Sequence, residues 1–487
     1  MNRNNFLGHL ALALTVILVA AFAGQVRRWQ KDWQKQQTEP RTAQPAQPNV
    51  DEAADSDEDG DEKEDEDATK AEVLVRFRAG TSEETIRNDV ERFNDDLEDE
   101  IESVQGLEII RAEDGEDINE VVKEYAALPE VEYAEPNFEI KAEPELGNVV
   151  HYDASQSLGE NHSALGPNDP MFANQWALEN TGQNGGKAQA DIRAVKAWEK
   201  TKGSEKIVVA VLDTGVDYTH PDLLNNMWLR PANVPVYTDN ELGEFDDIRG
   251  FSAIDDNPMD DNGHGTHCAG IIGAEGDNGF GIVGVNWKVE IMPLKFMNAN
   301  GSGTTADAIE CINYVIDRKN EGVNIRIISA SWGSRMKSKA LEDAIRKAGD
   351  SGILFVAASG NDGANSDKTP HYPAGYNLPN VVSVAAMTRN DQLASFSNYG
   401  AKSVHIAAPG AEILSTWLNG SFEEHSGTSM ATPVVSGVAA LILSGHSNLS
   451  VEELRERLFK SVDKLDSLNG KVSTGGRINA AKAVGAD

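Results

Sequence analysis

The sequence predicts an α/β protein: a mostly parallel sheet with helices on both faces, preceded by a small α+β domain. Three observations carry that reading. The run 207–212 is continuously apolar, as a strand buried on both faces is, and 325–330, 353–357 and 381–385 are similar. Helical stretches at 304–318, 339–350 and 428–445 alternate with or follow them, and such alternation builds a parallel sheet. Upstream, residues 71–142 read in the order β-α-β-α-β, which makes a separate α+β unit.

That first unit opens with 72–77, where apolar and polar residues alternate as in a half-buried strand. Thr81 followed by Glu84 is a capping-box signal for a helix running through Phe93. Residues 107–111 read as a strand, 118–127 as a second helix, and 131–134 as a further strand before Pro136.

The chain has 487 residues and a formal net charge of −36, unevenly spread. Residues 1–50 carry +4, residues 51–145 carry −27 and residues 146–487 carry −13. The acid excess argues against nucleic acid as a partner, because neutralising phosphates takes a basic surface. Two cysteines, Cys268 and Cys311, exclude a disulfide-dense scaffold and a four-cysteine zinc site. A bond between the two is left open. Residues 1–24 have the pattern of an export signal: Arg3, an apolar run from Phe6 to Ala20, then Ala21-Phe22-Ala23 as a cleavage site. Arg27, Arg28 and Lys31 follow closely, so an uncleaved membrane anchor is the alternative. Residues 25–70 read as a disordered acidic linker, with the run from Asp51 to Asp67 as its core. Residues 71–145 form the small domain, 146–168 a connector, and 169–487 the main domain.

Three motifs carry chemistry. Asp213-Thr214-Gly215 ends the strand 207–212, where open α/β sheets place their sites. An aspartic-protease reading needs a second such carboxylate, and no second Asp-Thr-Gly is present. His264-Gly265-Thr266-His267 opens an apolar helix, with His267 on a neighbouring part of the same surface. Nothing between the two histidines supplies the glutamate of a His-Glu-x-x-His metal site. Ser429, in Gly427-Thr428-Ser429-Met430-Ala431-Thr432-Pro433, sits at a helix N-terminus, where free N–H groups favour developing negative charge. An ordinary N-cap is the bland alternative. The run Phe422-Glu423-Glu424-His425 is too short and polar to be the buried strand that a hydrolase elbow requires.

Taken together, Asp213, His264 and Ser429, in that order and 51 and 165 residues apart, resemble the subtilisin-like serine proteases over about 169–485. The resemblance implies a serine endopeptidase acting on polypeptides through an acyl-enzyme. Ser429 is then the nucleophile, His264 the base, Asp213 its orienting group, and Asn361 of Ser359-Gly360-Asn361 the oxyanion donor. It also implies that Ser331-Trp332-Gly333 and Gly301-Ser302-Gly303 flank an extended peptide, with Ser359 and Gly360 beside it. Trp332 departs from the smaller residue usual there, and Asp362 and His371 are placed near the first specificity pocket. Structural Ca²⁺ is implied, with Asp222, Asn278 and Asp169 as ligands and no organic cofactor. The pairs Asp246-Asp247 and Asp255-Asp256 are candidates for a second ion, with a solvated acidic loop as the equal alternative. Cys268, one helical turn from His264, is expected as a free buried thiol close to the site.

The small domain resembles an inhibitory propeptide, with Tyr133-Ala134-Glu135-Pro136-Asn137-Phe138 near its end and a processing cut within 140–168. The whole then reads as a secreted or extracytoplasmic monomeric zymogen that meets a membrane only if residues 1–24 stay attached. Two rivals are a catalytically inactive binding protein on the same fold and an α/β-hydrolase esterase. Against the first stand intact Asp213, His264, Asn361 and Ser429. The second would need His446, the only histidine after Ser429.

Overall fold

A computed structural model describes residues 72–112, 116–142, 150–152, 166–240 and 243–487. The readings for residues 1–24, for the acidic linker 25–70 and for most of the connector 146–168 lie outside the described residues.

The N-terminal unit is a four-stranded antiparallel sheet, order β2-β3-β1-β4, with two helices. Its elements are β1 (Glu72–Phe77), α1 (Glu83–Phe93), β2 (Asp96–Glu100), β3 (Leu107–Arg111), α2 (Ile118–Ala126) and β4 (Val131–Pro136). The order is therefore β-α-β-β-α-β, one strand more than the sequence suggests. The added strand, Asp-Leu-Glu-Asp-Glu, has four carboxylates in five residues and no strand propensity of its own. It is held by pairing with β3. The cap of α1 is also one residue later than expected. Ser82 accepts from Thr85 N, while Thr81 Oγ1 turns back to Arg78 O.

In the main domain nine strands form one sheet, order β10-β11-β7-β13-β15-β16-β17-β21-β20. They are β7 (Gly203–Asp213), β10 (Phe251–Ser252), β11 (Lys288–Lys295), β13 (Ile325–Ala330), β15 (Leu354–Ala358), β16 (Val381–Met387), β17 (Ile406–Pro409), β20 (Val462–Lys464) and β21 (Gly476–Ile478). Every pairing is parallel except that of β20 with β21. The four apolar runs all lie in this sheet. The sheet is covered by α4 (His264–Gly273), α5 (Thr305–Asn320), α6 (Lys339–Asp350), α7 (Thr428–Gly445) and α8 (Val451–Lys460), with short α3 (Ala194–Trp198) and α9 (Ala480–Val484) at the edge. Helix α7 is long and apolar enough to cross a membrane, yet it is buried inside the domain.

The remaining short strands are β5 (Glu139–Ala142), β6 (Val150–Tyr152), β8 (Thr238–Asp239), β9 (Gly243–Glu244), β12 (Ser302–Thr304), β14 (Trp332–Gly333), β18 (Ile413–Trp417) and β19 (Ser421–His425). Residues 421–425 thus do form a strand, contrary to the sequence reading. Their polar side chains are accommodated because β19 belongs to an antiparallel hairpin with β18, extended by β6, and not to the parallel core.

The N-terminal unit rests on α5 and α6. Leu74, Ile101, Val104, Leu107 and Ile109 belong to the same apolar cluster as Ile312, Leu341 and Ile345 of the main domain. Polar contacts orient the packing. The Glu135 carboxylate accepts from Ser338 Oγ (2.6 Å), Lys339 N (2.8 Å) and Ala340 N (3.0 Å), and so caps α6. Asn137 Oδ1 accepts from Ala306 N (2.9 Å) in the first turn of α5. Free N–H groups and the helix dipole favour a carboxylate at such a place.

Candidate active site

Asp213 closes β7, and the last seven residues of that strand are buried. Its Oδ1 accepts from His264 Nδ1 (2.7 Å) and from Thr214 N (2.9 Å). His264 begins α4 immediately after Gly263, which has φ +113°. A Cβ on Gly263 would lie 2.4 Å from the Trp417 ring, so only glycine fits. Asp260, which the motif reading passed over, ties these pieces together. Its Oδ1 accepts from Thr214 Oγ1, Asn262 N and Gly263 N, and its Oδ2 from Thr266 N and Thr266 Oγ1. Burial pushes its pKa up, and the hydrogen bonds from Thr266, Gly263 and Asn262 oppose that. The usable signal was Asp260-Asp261-Asn262-Gly263, a run of turn-forming residues before the helix.

Ser429 lies in the first turn of α7, which has Gly427 as N-cap and no side-chain cap. Its Oγ donates to Ser331 O at 2.8 Å, and Ser331 Oγ donates to Ser429 O at 2.9 Å. Asn361 follows β15. Its Oδ1 accepts from Thr428 N (2.9 Å) and Thr428 Oγ1 (3.0 Å), whereas its buried Nδ2 has no hydrogen-bond partner among the described residues. That nitrogen points towards Gly427, where an added Cβ would lie 3.3 Å from it and 3.5 Å from Ser429 N. Two donors therefore border one small space. Ser359 and Gly360 brace the turn: Ser359 Oγ donates to Asn398 O, and Gly360 N donates to Thr428 Oγ1.

Beside Ser429 runs a three-stranded antiparallel sheet, β12-β5-β14. Its middle strand is β5, Glu139–Ala142. Ser302, Gly303 and Thr304 pair with Lys141, Ile140 and Glu139, while Trp332 and Gly333 pair with Ala142 and Lys141. Gly301 O accepts from Ala142 N at 2.7 Å. Ile140 is buried among residues of the main domain. Trp332 offers only its backbone here. Its side chain is fully buried, packs on Phe296 and donates Nε1–H to Leu212 O. His371 lies directly behind Gly333 and Gly360, and exposed Asp362 pairs with Arg335 at 3.2 Å.

Cys268 is buried, and its Sγ lies within 4.8 Å of the facing atoms of Asp213 and His264. Burial and the nearby Asp213 carboxylate push its thiol pKa well up. It forms no bond with Cys311, and both thiols are free. His267 does not share the surface of His264. It is fully buried, bonds Glu423 O through Nε2 (3.0 Å), and meets the His425 ring edge-on.

The three residues read as calcium ligands converge. Asn278 Nδ2 donates to Asp222 Oδ1 (2.8 Å), Ile282 N donates to Asp222 Oδ2 (2.8 Å), and Asp169 accepts from Asp277 N (2.8 Å) and Asn278 N (3.3 Å). Burial pushes the Asp222 carboxyl up to about 8 and that of Asp169 up to about 6. The second candidate set does not hold together. Asp247 is taken by Arg230 (2.9 Å) and Arg318 (3.2 Å), and Asp255 accepts from Ser252 Oγ.

A parallel sheet carrying an Asp–His pair at one strand end, with a serine at the head of a buried helix, is the ground plan of a serine hydrolase. The profile of the Subtilase family matches residues 204–476, and that of the Fervidolysin N-terminal prodomain matches residues 54–137. Thermophilic serine proteinase of Bacillus sp. (strain AK1) is 36% identical over 371 residues, covering 75% of this chain and 76% of that protein. Thermitase of Thermoactinomyces vulgaris is 36% identical over 318 residues, covering 65% and 99%. Minor extracellular protease Epr of Bacillus subtilis (strain 168) is 31% identical over 397 residues, covering 82% and 52%. The chain belongs to the subtilase family. It is a subtilisin-like serine-type endopeptidase with a fervidolysin-like prodomain.

The position of Cys268 has a direct consequence. One equivalent of a small organomercurial should abolish peptidase activity, and Cys268→Ser should be insensitive to it. Full activity of the wild-type chain after stoichiometric mercury uptake at Cys268 would contradict this.

Proposed function

We propose that this chain is the zymogen of a secreted endopeptidase that cuts itself free of residues 71–145. One observation carries the reading: the chain's own segment Glu139–Ala142 lies as an extended middle strand in the cleft beside Ser429. A peptide added to sheet edges in this way is bound mainly through its backbone. The prodomain is then a tethered, product-like inhibitor, and the cut falls after Ala142, within the stretch up to 168.

In the reaction, Ser429 Oγ attacks the scissile carbonyl. His264 takes the proton and later delivers it to the leaving amine. The Asp213 carboxylate at 2.7 Å holds His264 with its proton on Nδ1 and stabilises the imidazolium. Asn361 Nδ2 and Ser429 N–H receive the oxyanion. An unpartnered buried donor has a cost in the resting state, and that cost disappears when charge develops opposite it. Secretion is supported by the export-signal pattern of residues 1–24 and by the likeness to a protease named extracellular.

Calcium fits the set Asp169, Asp222 and Asn278. Two buried carboxyls lie there, the Asp169 charge adds to the cost of ionising Asp222, and carboxylate oxygens suit a hard ion. A bound ion would supply the missing positive charge and tie 168–169, Asp222 and the loop 276–284 together.

Three outcomes are expected. Ser429→Ala should accumulate as an intact precursor that no longer reacts with a fluorophosphonate, as judged by mass; normal maturation of the purified variant would refute self-cleavage. Asn361→Ala should lose about 10²–10³ in kcat with little change in KM, the magnitude being the one known for the equivalent donor in subtilisin. Calcium chelation should lower Tm by roughly 5 °C, since one ion at about 100 times its Kd adds about 2.7 kcal/mol. Asp222→Asn should abolish most of that response.

A further inference from the structure

Away from the cleft, three further carboxyl groups meet. Glu310 projects from α5, Asp239 from β8, and Asp99 from β2 of the prodomain. One carboxylate oxygen from each lies within 4.8 Å of the other two. All three residues are buried, with 6%, 2% and 2% exposure respectively. Neither oxygen of Glu310 meets a hydrogen-bond donor, and no cationic side chain pairs with Glu310 among the described residues. The guanidinium of Arg318, farther along α5, is engaged by Asp247, Asp317 and Pro235 O. Burial and the fields of Asp99, Asp239 and Glu102 push the Glu310 pKa well up.

An uncompensated carboxylate does not persist at such depth; it takes a proton or a cation. A proton shared between Asp99 and Glu310, which lie within hydrogen-bonding reach of each other, is the alternative that the ion count below distinguishes. The geometry suits a cation. Two oxygens bound to one Ca²⁺ at about 2.4 Å lie at most about 4.8 Å apart, and an all-oxygen set selects a hard ion. The phenol of Tyr237, 3.4 Å from Asp239 Oδ2, adds a further oxygen at the rim.

We propose that Asp99, Asp239 and Glu310 form a divalent-cation site of the calcium class, shared between the prodomain and the protease domain. It is separate from the Asp169, Asp222 and Asn278 set and does not depend on the assignment of the catalytic residues. One ligand leaves with the prodomain, so the ion belongs to the precursor and to the complex that follows the cut. Calcium then strengthens the hold of the prodomain, and its removal favours release.

The test uses the full-length chain with Ser429→Ala, confirmed intact by mass. Bound Ca²⁺ is counted by equilibrium dialysis, and Tb³⁺ luminescence is excited through tyrosine. Asp99→Asn and Glu310→Gln should each bind one ion fewer than the parent and lose the tyrosine-sensitised emission. Asp222→Asn should keep that emission. Equal ion counts in the parent and Asp99→Asn would overturn the proposal and leave protons shared among the carboxyls. A measurement on the parent alone guards against a misfolded variant. Crystals soaked in Tb³⁺ should show an anomalous peak among the three carboxylates, and none at saturation would equally overturn it.

Discussion

A carboxylate can be buried only where its surroundings answer its charge, and that constraint organises this molecule. Asp213 ends a strand with no exposed surface and is held by His264 and Thr214. Asp260, equally hidden, collects five hydrogen bonds, and in doing so joins the end of β7 to the start of α4. Glu135 finds three donors at the head of α6. Each acid thereby fixes the relative position of two elements that packing alone would leave free to slide. Asp222, whose oxygens meet Asn278 Nδ2 and Ile282 N, and Glu310, which meets no donor among the described residues, mark the two places where we propose an ion.

The same principle explains why the prodomain is so acidic and still folds where it does. Its own core is small, built on Val73, Val75, Val90, Ile110 and Tyr125. The other face of its sheet is completed by α5 and α6. Residues 71–145 carry 24 acidic and seven basic residues, a charge of −17, which gives strong internal repulsion. Docking relieves part of it, because the helix N-termini and Arg76–Asp343 type contacts place charges against partners of opposite sign.

The parallel sheet was legible because burial on both faces writes strands as short, largely apolar runs, here alternating with helical stretches. Asp213, His264 and Ser429 stood out for a related reason: each sits at a strand or helix end, where short polar motifs interrupt apolar ones. Strand β2 was not legible. Its residues favour solvent, and only the edge of β3 makes them a strand. Strand β19 failed for the same cause, since Glu423 and His425 are buried as partners of each other and of the hairpin. Trp332 shows a further limit: its position along the chain places its backbone at the cleft, but only packing against Phe296 reveals that the ring turns inward. The role of Asp260 is likewise a matter of five hydrogen bonds, from four residues in two segments.

Strand β5 has one more consequence, which concerns timing. While the chain is uncut, the occupant of the cleft is present at an effective concentration fixed by a short covalent tether, commonly millimolar. Dilution cannot lower it. Once the bond beyond Ala142 is broken, the same strand becomes an ordinary ligand subject to mass action. Under the proposed self-cleavage, dilution after the cut empties the cleft, whereas before it dilution has no effect.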